Sequence, residues 1–318
     1  MFLVSMIIIG LIFILILPVT LVSIMLSSYN VIINSNSFVY KPSLPSPIEK
    51  FYINADEANI KILYINPPID YYAQIAVEVT LIGVNLAGNT YEEFINISWD
   101  KTSSPANFTL EIISDDWYNP SLWIKKEINI IITLRKDIVF DIFTTIKEGN
   151  FNITIPFGVS VNKLESELIN GNIFYNLDQC VLMANMTANI NMGNIYLKAN
   201  NIEYTKDVNW SLKNNLGDIY FELCQYKGMG ANISGIVTLN NGNLNLTYSD
   251  FSNEVGAFFI LPLSDFERSG TIRNIIGFNV TILNPIGYIL RSFDYPANFN
   301  YNFLFNITGS DIIGIESQ

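Results

Sequence analysis

Five glycines in the middle of the chain, each followed by Asn or Asp, recur at an almost constant interval. They are Gly149-Asn150, Gly171-Asn172, Gly193-Asn194, Gly217-Asp218 and Gly242-Asn243, separated by 22, 22, 24 and 25 residues. Behind each pair comes a short run with period-2 alternation: FNITIP, NIFYNL, NIYLKA, DIYFEL and NLNLTY. A fixed period of about 20 to 50 residues marks units that cannot bury an apolar face alone and must stack on their neighbours. Glycine supplies a positive φ at a tight turn, and Asn or Asp tolerates one next best. Gly149, Gly171, Gly193, Gly217 and Gly242 are therefore read as repeat turns that set the phase of the strand that follows.

That phase divides inside from outside. After Gly193 the inward set is Ile195, Leu197 and Ala199; after Gly217 it is Ile219, Phe221 and Leu223; after Gly242 it is Leu244, Leu246 and Tyr248. A second alternating run precedes the turn, as in Leu182, Ala184, Met186, Ala188, Ile190 and Met192 against polar Asn185, Thr187, Asn189 and Asn191. Two half-buried strands per repeat make one rung of a flattened coil. A β-meander of evenly spaced hairpins is the alternative. The same phase puts Phe174, Tyr196 and Tyr220 outward in one column, where they are read as a ladder that stiffens the sheet in preference to a sugar-stacking surface.

Strand patterns also fill the preceding region, for example IKILYI from Ile60, AQIAVEVTLIGV from Ala73, FTLEII from Phe108 and INIIITL from Ile128. No helical periodicity interrupts them, so the chain beyond the N-terminus is expected to be all-β. Residues 51–130 depart from the plain repeat, which leaves a separate β-sandwich-like part open there. The C-terminal strands around 299–315 are expected to cap the stack.

The first residues are of a different kind. From Phe2 to Leu26 there is no charge, and almost every position is aliphatic or Phe. Twenty-five such residues at ~1.5 Å each cross a ~30 Å hydrocarbon layer. No Lys or Arg follows Met1, the first basic residue is Lys41, and no A-x-A-like site precedes Tyr29. Residues 1–28 are thus read as a retained transmembrane signal anchor that contacts the bilayer through 2–26, with cleavage after Ser28 as the alternative. Residues 29–50, with prolines at 42, 45 and 47, are expected to form a stalk, and 51–318 an extracytoplasmic body.

Composition narrows the chemistry. The net charge is −12, from 17 basic against 29 acidic residues, which disfavours nucleic acid as a partner. With no histidine, the commonest general base and metal ligand are missing. The carboxylate pairs Asp115-Asp116, Asp265/Glu267 and Asp137/Asp141 are scattered between strands, where solvated turns put acids. Catalysis, metal and cofactor are accordingly not expected. Cys180 and Cys224 fall two rungs apart, ~9.5 Å at the usual strand spacing, beyond disulfide reach, and are read as packing residues.

Nine N-x-[ST] sequons are present, at Asn96, Asn107, Asn152, Asn185, Asn209, Asn232, Asn245, Asn279 and Asn306. On an exported chain they are candidates for N-glycosylation. An Asn- and Thr-rich solvent face also generates such triplets unaided, because i and i+2 point the same way.

The segments Ile153-Thr154-Ile155-Pro156-Phe157-Gly158-Val159-Ser160-Val161, Asn170-Gly171-Asn172-Ile173 and Leu216-Gly217-Asp218-Ile219 resemble the putative-adhesin β-strand-repeat family, also called toast-rack domains. The resemblance covers roughly residues 130–250, with a fainter echo at Gly309-Ser310-Asp311-Ile312. It is to an archaeal type that carries one N-terminal membrane helix. It implies a single-stranded β-solenoid-like stack and a structural or adhesin-like surface role, in contact with envelope glycans or other surface proteins. It brings no catalytic residues. The other expectations kept open are a carbohydrate-processing enzyme on the same scaffold and an accessory ectodomain of a membrane complex.

Overall fold

The structure is a computed structural model that describes residues 29–317, apart from 68, 85–89, 91, 93, 101–105, 114–122, 252–253, 263–274, 277, 284–286 and 308–310. The apolar segment 2–26 lies outside the described residues. Among those described, no helix is long and apolar enough to cross a membrane. The described part is all-β.

The N-terminal third contributes β1 (Tyr29–Tyr40), β2 (Glu49–Glu57), β3 (Asn59–Ile65), β4 (Ala73–Val84), β5 (Ile95–Asp100), β6 (Ala106–Ile112) and β7 (Trp123–Arg135). The repeat region follows with β8 (Phe140–Ile155), β9 (Ser160–Asp178), β10 (Val181–Leu182), β11 (Met186–Asn200), β12 (Glu203–Tyr204), β13 (Val208–Leu216), β14 (Ile219–Gln225), β15 (Ile233–Leu239) and β16 (Asn243–Asp250). The C-terminal part adds β17 (Val255–Pro262), β18 (Ile275–Ile276), β19 (Asn279–Leu283), β20 (Gly287–Arg291), β21 (Phe299–Ile307) and β22 (Asp311–Ser317).

Each repeat pairs in parallel, residue for residue, with the next. Gly149 lies opposite Gly171 and Gly171 opposite Gly193, and the register continues on both sides of the glycine. Strand segments before the glycines form a first sheet in the spatial order β5-β6-β2-β8-β9-β11-β13-β15-β21-β17-β20-β19. Segments after them form a second, ordered β1-β4-β7-β3-β8-β9-β11-β14-β16-β22-β18. The apolar phase read from the sequence faces the space between the sheets. Ile195, Leu197, Ala199, Ile219, Phe221, Leu223, Leu244, Leu246 and Tyr248 are all buried, each large side chain contributing about 1.5–3 kcal/mol of apolar burial. Met192 departs from that phase and is 46% exposed, because alternation ends where the chain enters the glycine corner.

The corner explains the repeat. All five turn glycines have φ between +131° and +145°, a region that L-residues rarely adopt. A Cβ on Gly171 would lie 1.5 Å from the carbonyl oxygen of Gly149, and one on Gly193 1.5 Å from that of Gly171. Gly217 and Gly242 meet the carbonyl below at 1.9 Å, and Gly149 meets that of Ala58 at 2.0 Å. The glycines form a column in which each backbone occupies the side-chain position of the next.

The neighbouring amides form a second column. The Asn150 Nδ2 donates to Asn59 Oδ1 at 2.8 Å and the Asn172 Nδ2 to Asn150 Oδ1 at 2.8 Å. Backbone N–H groups of Asn194, Asp218 and Asn243 then donate to the side-chain oxygens of Asn172, Asn194 and Asp218 at 3.1, 2.8 and 2.8 Å. Such ladders satisfy polar groups at the corner from one rung to the next.

One expectation is corrected and one open alternative is decided. The segment read as a stalk is a strand over Tyr29–Tyr40, paired antiparallel with β4 along its whole length, and its Pro-containing remainder ends in β2. Alternating Ile32, Phe38 and Tyr40 give it a face to bury. Residues 51–130 are not a separate sandwich. The strands β2 and β3 make the first rung of the same stack, Phe51 opposite Ile142 and Ile60 opposite Phe151. The C-terminal end also has an order that the sequence does not show: β21 lies between β15 and β17, so a later strand fills the slot that chain order would give to β17.

Candidate functional surface

The outward side chains of the second sheet line up in columns because register is kept from rung to rung. One column runs Asn152, Phe174, Tyr196, Tyr220, Asn245. The next runs Thr154, Asn176, Lys198, Glu222, Thr247. Phe174 stacks on Tyr196 with ring centroids 4.7 Å apart and planes at 5°, and Tyr196 on Tyr220 at 4.7 Å and 4°. The rings spend their faces on each other, as the sequence reading preferred, and present edges and hydroxyls outward. Tyr220 O–H donates to Asp218 Oδ2 at 3.2 Å. Partial burial, with the Asp218 carboxylate beside it, raises the Tyr220 phenol above its ordinary value. Lys198 Nζ bonds Glu222 Oε1 at 2.6 Å across the adjacent rung. Together these columns line a shallow groove of about 540 Å³. Asn152 and Thr154 of one sequon close it at one end, and Asn245 and Thr247 of another at the other.

The outer face of the first sheet carries an apolar row, Ile236, Leu304 and Ile260, on neighbouring strands. Beside it Phe258 stacks on Tyr295 at 5.1 Å and lies under the Arg291 guanidinium at 5.5 Å. Ile236, Leu304, Ile260 and Phe258 line a groove of about 490 Å³, rimmed by Asn185, Asn209 and Asn302. Gly235 belongs to its floor and leaves room for the Phe303 ring, which a Cβ there would meet at 2.3 Å.

Of the sequon asparagines, Asn96, Asn107, Asn185, Asn209, Asn245, Asn279 and Asn306 are exposed, whereas Asn152 and Asn232 are half-buried. Asn185 and Asn209 are neighbours on successive rungs, the Asn209 N–H donating to Asn185 Oδ1 at 3.0 Å.

The carboxylate candidates separate. Asp115, Asp116, Asp265 and Glu267 lie outside the described residues. Asp137 pairs with Arg135 at 2.7 Å, and buried Asp141 accepts from Asn162 at 2.6 Å. Both cysteines are free thiols. Cys180 is buried, and that burial pushes its thiol up to about 12. Among the described residues no group of three or more Cys, Asp and Glu is placed to hold a metal ion.

Sequence reasoning missed the buried amides. Asn214, fully buried, donates to the carbonyls of Gly193 and Asp218 at 2.8 and 3.1 Å and clips the glycine corner from inside. Gln225 does the same at the opposite corner: its Oε1 accepts from Ile202 N–H at 3.1 Å and its Nε2 donates to Ile202 C=O at 2.9 Å. A break in apolar alternation at an inward position, Leu212 to Asn214 and Leu223 to Gln225, is the signal that could have found them.

No protein-family model matches the chain, and no curated protein matches it in sequence. Solved structures do resemble it at low identity. One is described as a "putative cell adhesion protein" from Clostridium sporogenes, at 12% identity over 90% of this chain and 100% of the other, with TM-score 0.33. Another is a "putative lipid binding protein" from Parabacteroides distasonis, at 10% identity over 90% and 97%, TM-score 0.37. A third is a "putative adhesin" from Bacteroides fragilis, at 11% identity over 89% and 96%, TM-score 0.29. At such scores a likeness carries no argument about what this chain binds.

Proposed function

We propose that the chain is a membrane-anchored surface protein whose body is a toast-rack β-solenoid, rigid and glycosylated, acting as an adhesin-like contact element of the cell envelope. The observation that carries this reading is the outer surface of the stack. It is two broad sheet faces in fixed register, one with an aromatic and amide strip and one with an apolar row, and seven exposed sequon asparagines lie around them. Flat, repetitive, shallow surfaces suit contact over an area better than enclosure of a small substrate. The apolar 2–26 segment supplies the anchor in this reading, and the acidic body keeps it clear of anionic lipid headgroups.

The test uses intact cells that express the full chain. Protease added outside should remove the body while a short N-terminal fragment stays with the membrane, and N-glycan removal should lower the mass of the released body. A body protected from external protease overturns the outward orientation, and an unshifted mass removes glycosylation.

A further inference from the structure

On each sheet a cross-strand stack of rings ends on the asparagine of a sequon. On the second sheet Phe174, Tyr196 and Tyr220 stack, and the next residue of their column is Asn245, directly opposite Tyr220. On the first sheet Tyr52 stacks on Phe143 with centroids 4.6 Å apart and planes at 9°, and the residue beyond Tyr52 is Asn107. Asn152 holds the far end of the longer stack, half-buried and with Lys61 on its other side. By contrast Asn209 and Asn306 lie opposite Ser234 and Thr238.

The spacing sets what such an asparagine can bring. The centroids of Tyr196 and Tyr220 are 4.7 Å apart with planes at 4°, which is the separation of neighbouring strands, ~4.8 Å. The rings therefore stand face to face along the stack, and the next unit of the column falls at the same height over the far face of Tyr220. Asn245 puts only a short amide there, so the outer part of that face stays uncovered, and Tyr220 is 38% exposed although Tyr196 covers its other side. Asn245 is itself exposed, and among the described residues its side-chain amide makes no hydrogen bond. The residue beyond it is Gly314, which has no side chain to fill the space on that side. Thr247, the third residue of the sequon, lies in the adjacent column opposite Glu222.

A pyranose ring has a face of C–H bonds that packs on the negative face of an aromatic ring, and hydroxyls at its rim that need polar partners. Tyr220 offers the first, and the Lys198–Glu222 pair in the adjacent column of the same groove offers the second. We infer that Asn245 is an N-glycosylation site whose first sugar is part of the fold: it lies one rung beyond Tyr220, stacked on the open face of the ladder. This site presupposes the glycosylated surface proposed above and adds to it a seat for one sugar. In the transfer the anomeric C–O bond of a glycosyl-diphosphate donor breaks, a bond from the anomeric carbon to Asn245 Nδ2 forms, and one amide hydrogen leaves as a proton with the diphosphate.

The experiment uses the full chain in detergent, purified from cells that export and glycosylate it. Site-resolved mass spectrometry should find a glycan on Asn245. Asn245→Gln, which removes it, should lower the melting temperature by about 2–4 °C, and several-fold less when Tyr220→Thr has already removed the ring. The same pair of substitutions in chain made without glycans should show no such coupling, which separates the sugar from the asparagine. In the parent, ring current should move the C–H protons of the first sugar upfield, and unfolding in denaturant should abolish the shift. A chain bare at all nine sequons overturns the glycosylated reading and this site with it. Glycans elsewhere with Asn245 bare, an equal loss with and without Tyr220, or unshifted sugar protons overturns this site alone. If Tyr220→Thr fails to fold, the ring-current shift still decides.

Discussion

Replacing Gly193 by alanine separates the two physical demands made at the corner. Its φ of +132° is strained for any L-residue, and its Cβ would sit 1.5 Å from the Gly171 carbonyl oxygen and 2.7 Å from its carbon. The backbone strain alone costs about 1–3 kcal/mol, and forcing atoms into a packed site adds about 1–3 kcal/mol. The obstacle is the backbone of the next rung, which is tied into both sheets and has little freedom to retreat. Gly158 is the control. Its φ is +76°, but an added Cβ meets nothing within 4 Å, so Gly158→Ala carries only a left-handed penalty of about 1–2 kcal/mol. Gly193→Ala should therefore destabilise by about 2 kcal/mol or more beyond Gly158→Ala, which at roughly 2–4 °C per kcal/mol lowers the melting temperature by a further 4–8 °C or so. Thermal melts of the two variants by circular dichroism, side by side, read the difference. Equal shifts would falsify the claim that close approach of stacked backbones, and not φ alone, imposes glycine there.

Further predictions test other parts of the stack. Asn194→Ala leaves the Asp218 N–H without its 2.8 Å acceptor and should cost about 1–2 kcal/mol in denaturant unfolding, with Asn194→Asp, which keeps an acceptor, well below that. Burial raises the Asp56 carboxyl, but Lys147 Nζ at 2.6 Å and the Ile112 N–H at 2.9 Å outweigh it and hold the group below its usual 3.8. Its contribution is accordingly present above the unfolded value, near 4, and is lost as pH falls through the lower folded value. Asp56→Asn should thus be less stable than the parent at pH 7, with the gap closing below about pH 4; a gap independent of pH refutes the assignment. In the folded protein a thiol reagent at pH 8 should modify Cys224 and leave Cys180 untouched until denaturant is added. Glycans on Asn185 and Asn209 would stand about 5 Å apart on adjacent rungs, so site-resolved mass spectrometry should find doubly occupied molecules well below the product of the single occupancies.

The repeat region was legible because its information is local. A glycine that needs positive φ, an amide beside it and strict alternation afterwards state where a turn falls and which side chains go inside. They also state which residues share an outward column, so the Phe174, Tyr196 and Tyr220 ladder and the buried Ile195 and Phe221 could be read from spacing alone. The candidate surface was legible only in part. The ladder was visible, but the apolar row of Ile236, Leu304 and Ile260 was not, because it draws on strands 24 and 44 residues apart in the chain.

Which strand neighbours which is a non-local choice, and alternation is the same on every strand that could compete for it. That is why β1 read as a stalk and a separate part over residues 51–130 stayed open, and why the insertion of β21 between β15 and β17 left no trace in the pattern. The buried Asn214 and Gln225 have the same origin, since an amide belongs in a core only when a particular backbone corner arrives opposite it. By itself the sequence determined the rung: its turn, its phase and its inner and outer faces. Tertiary structure alone decided the order of rungs and the identity of the edges, because parallel pairing joins residues that chain proximity does not bring together.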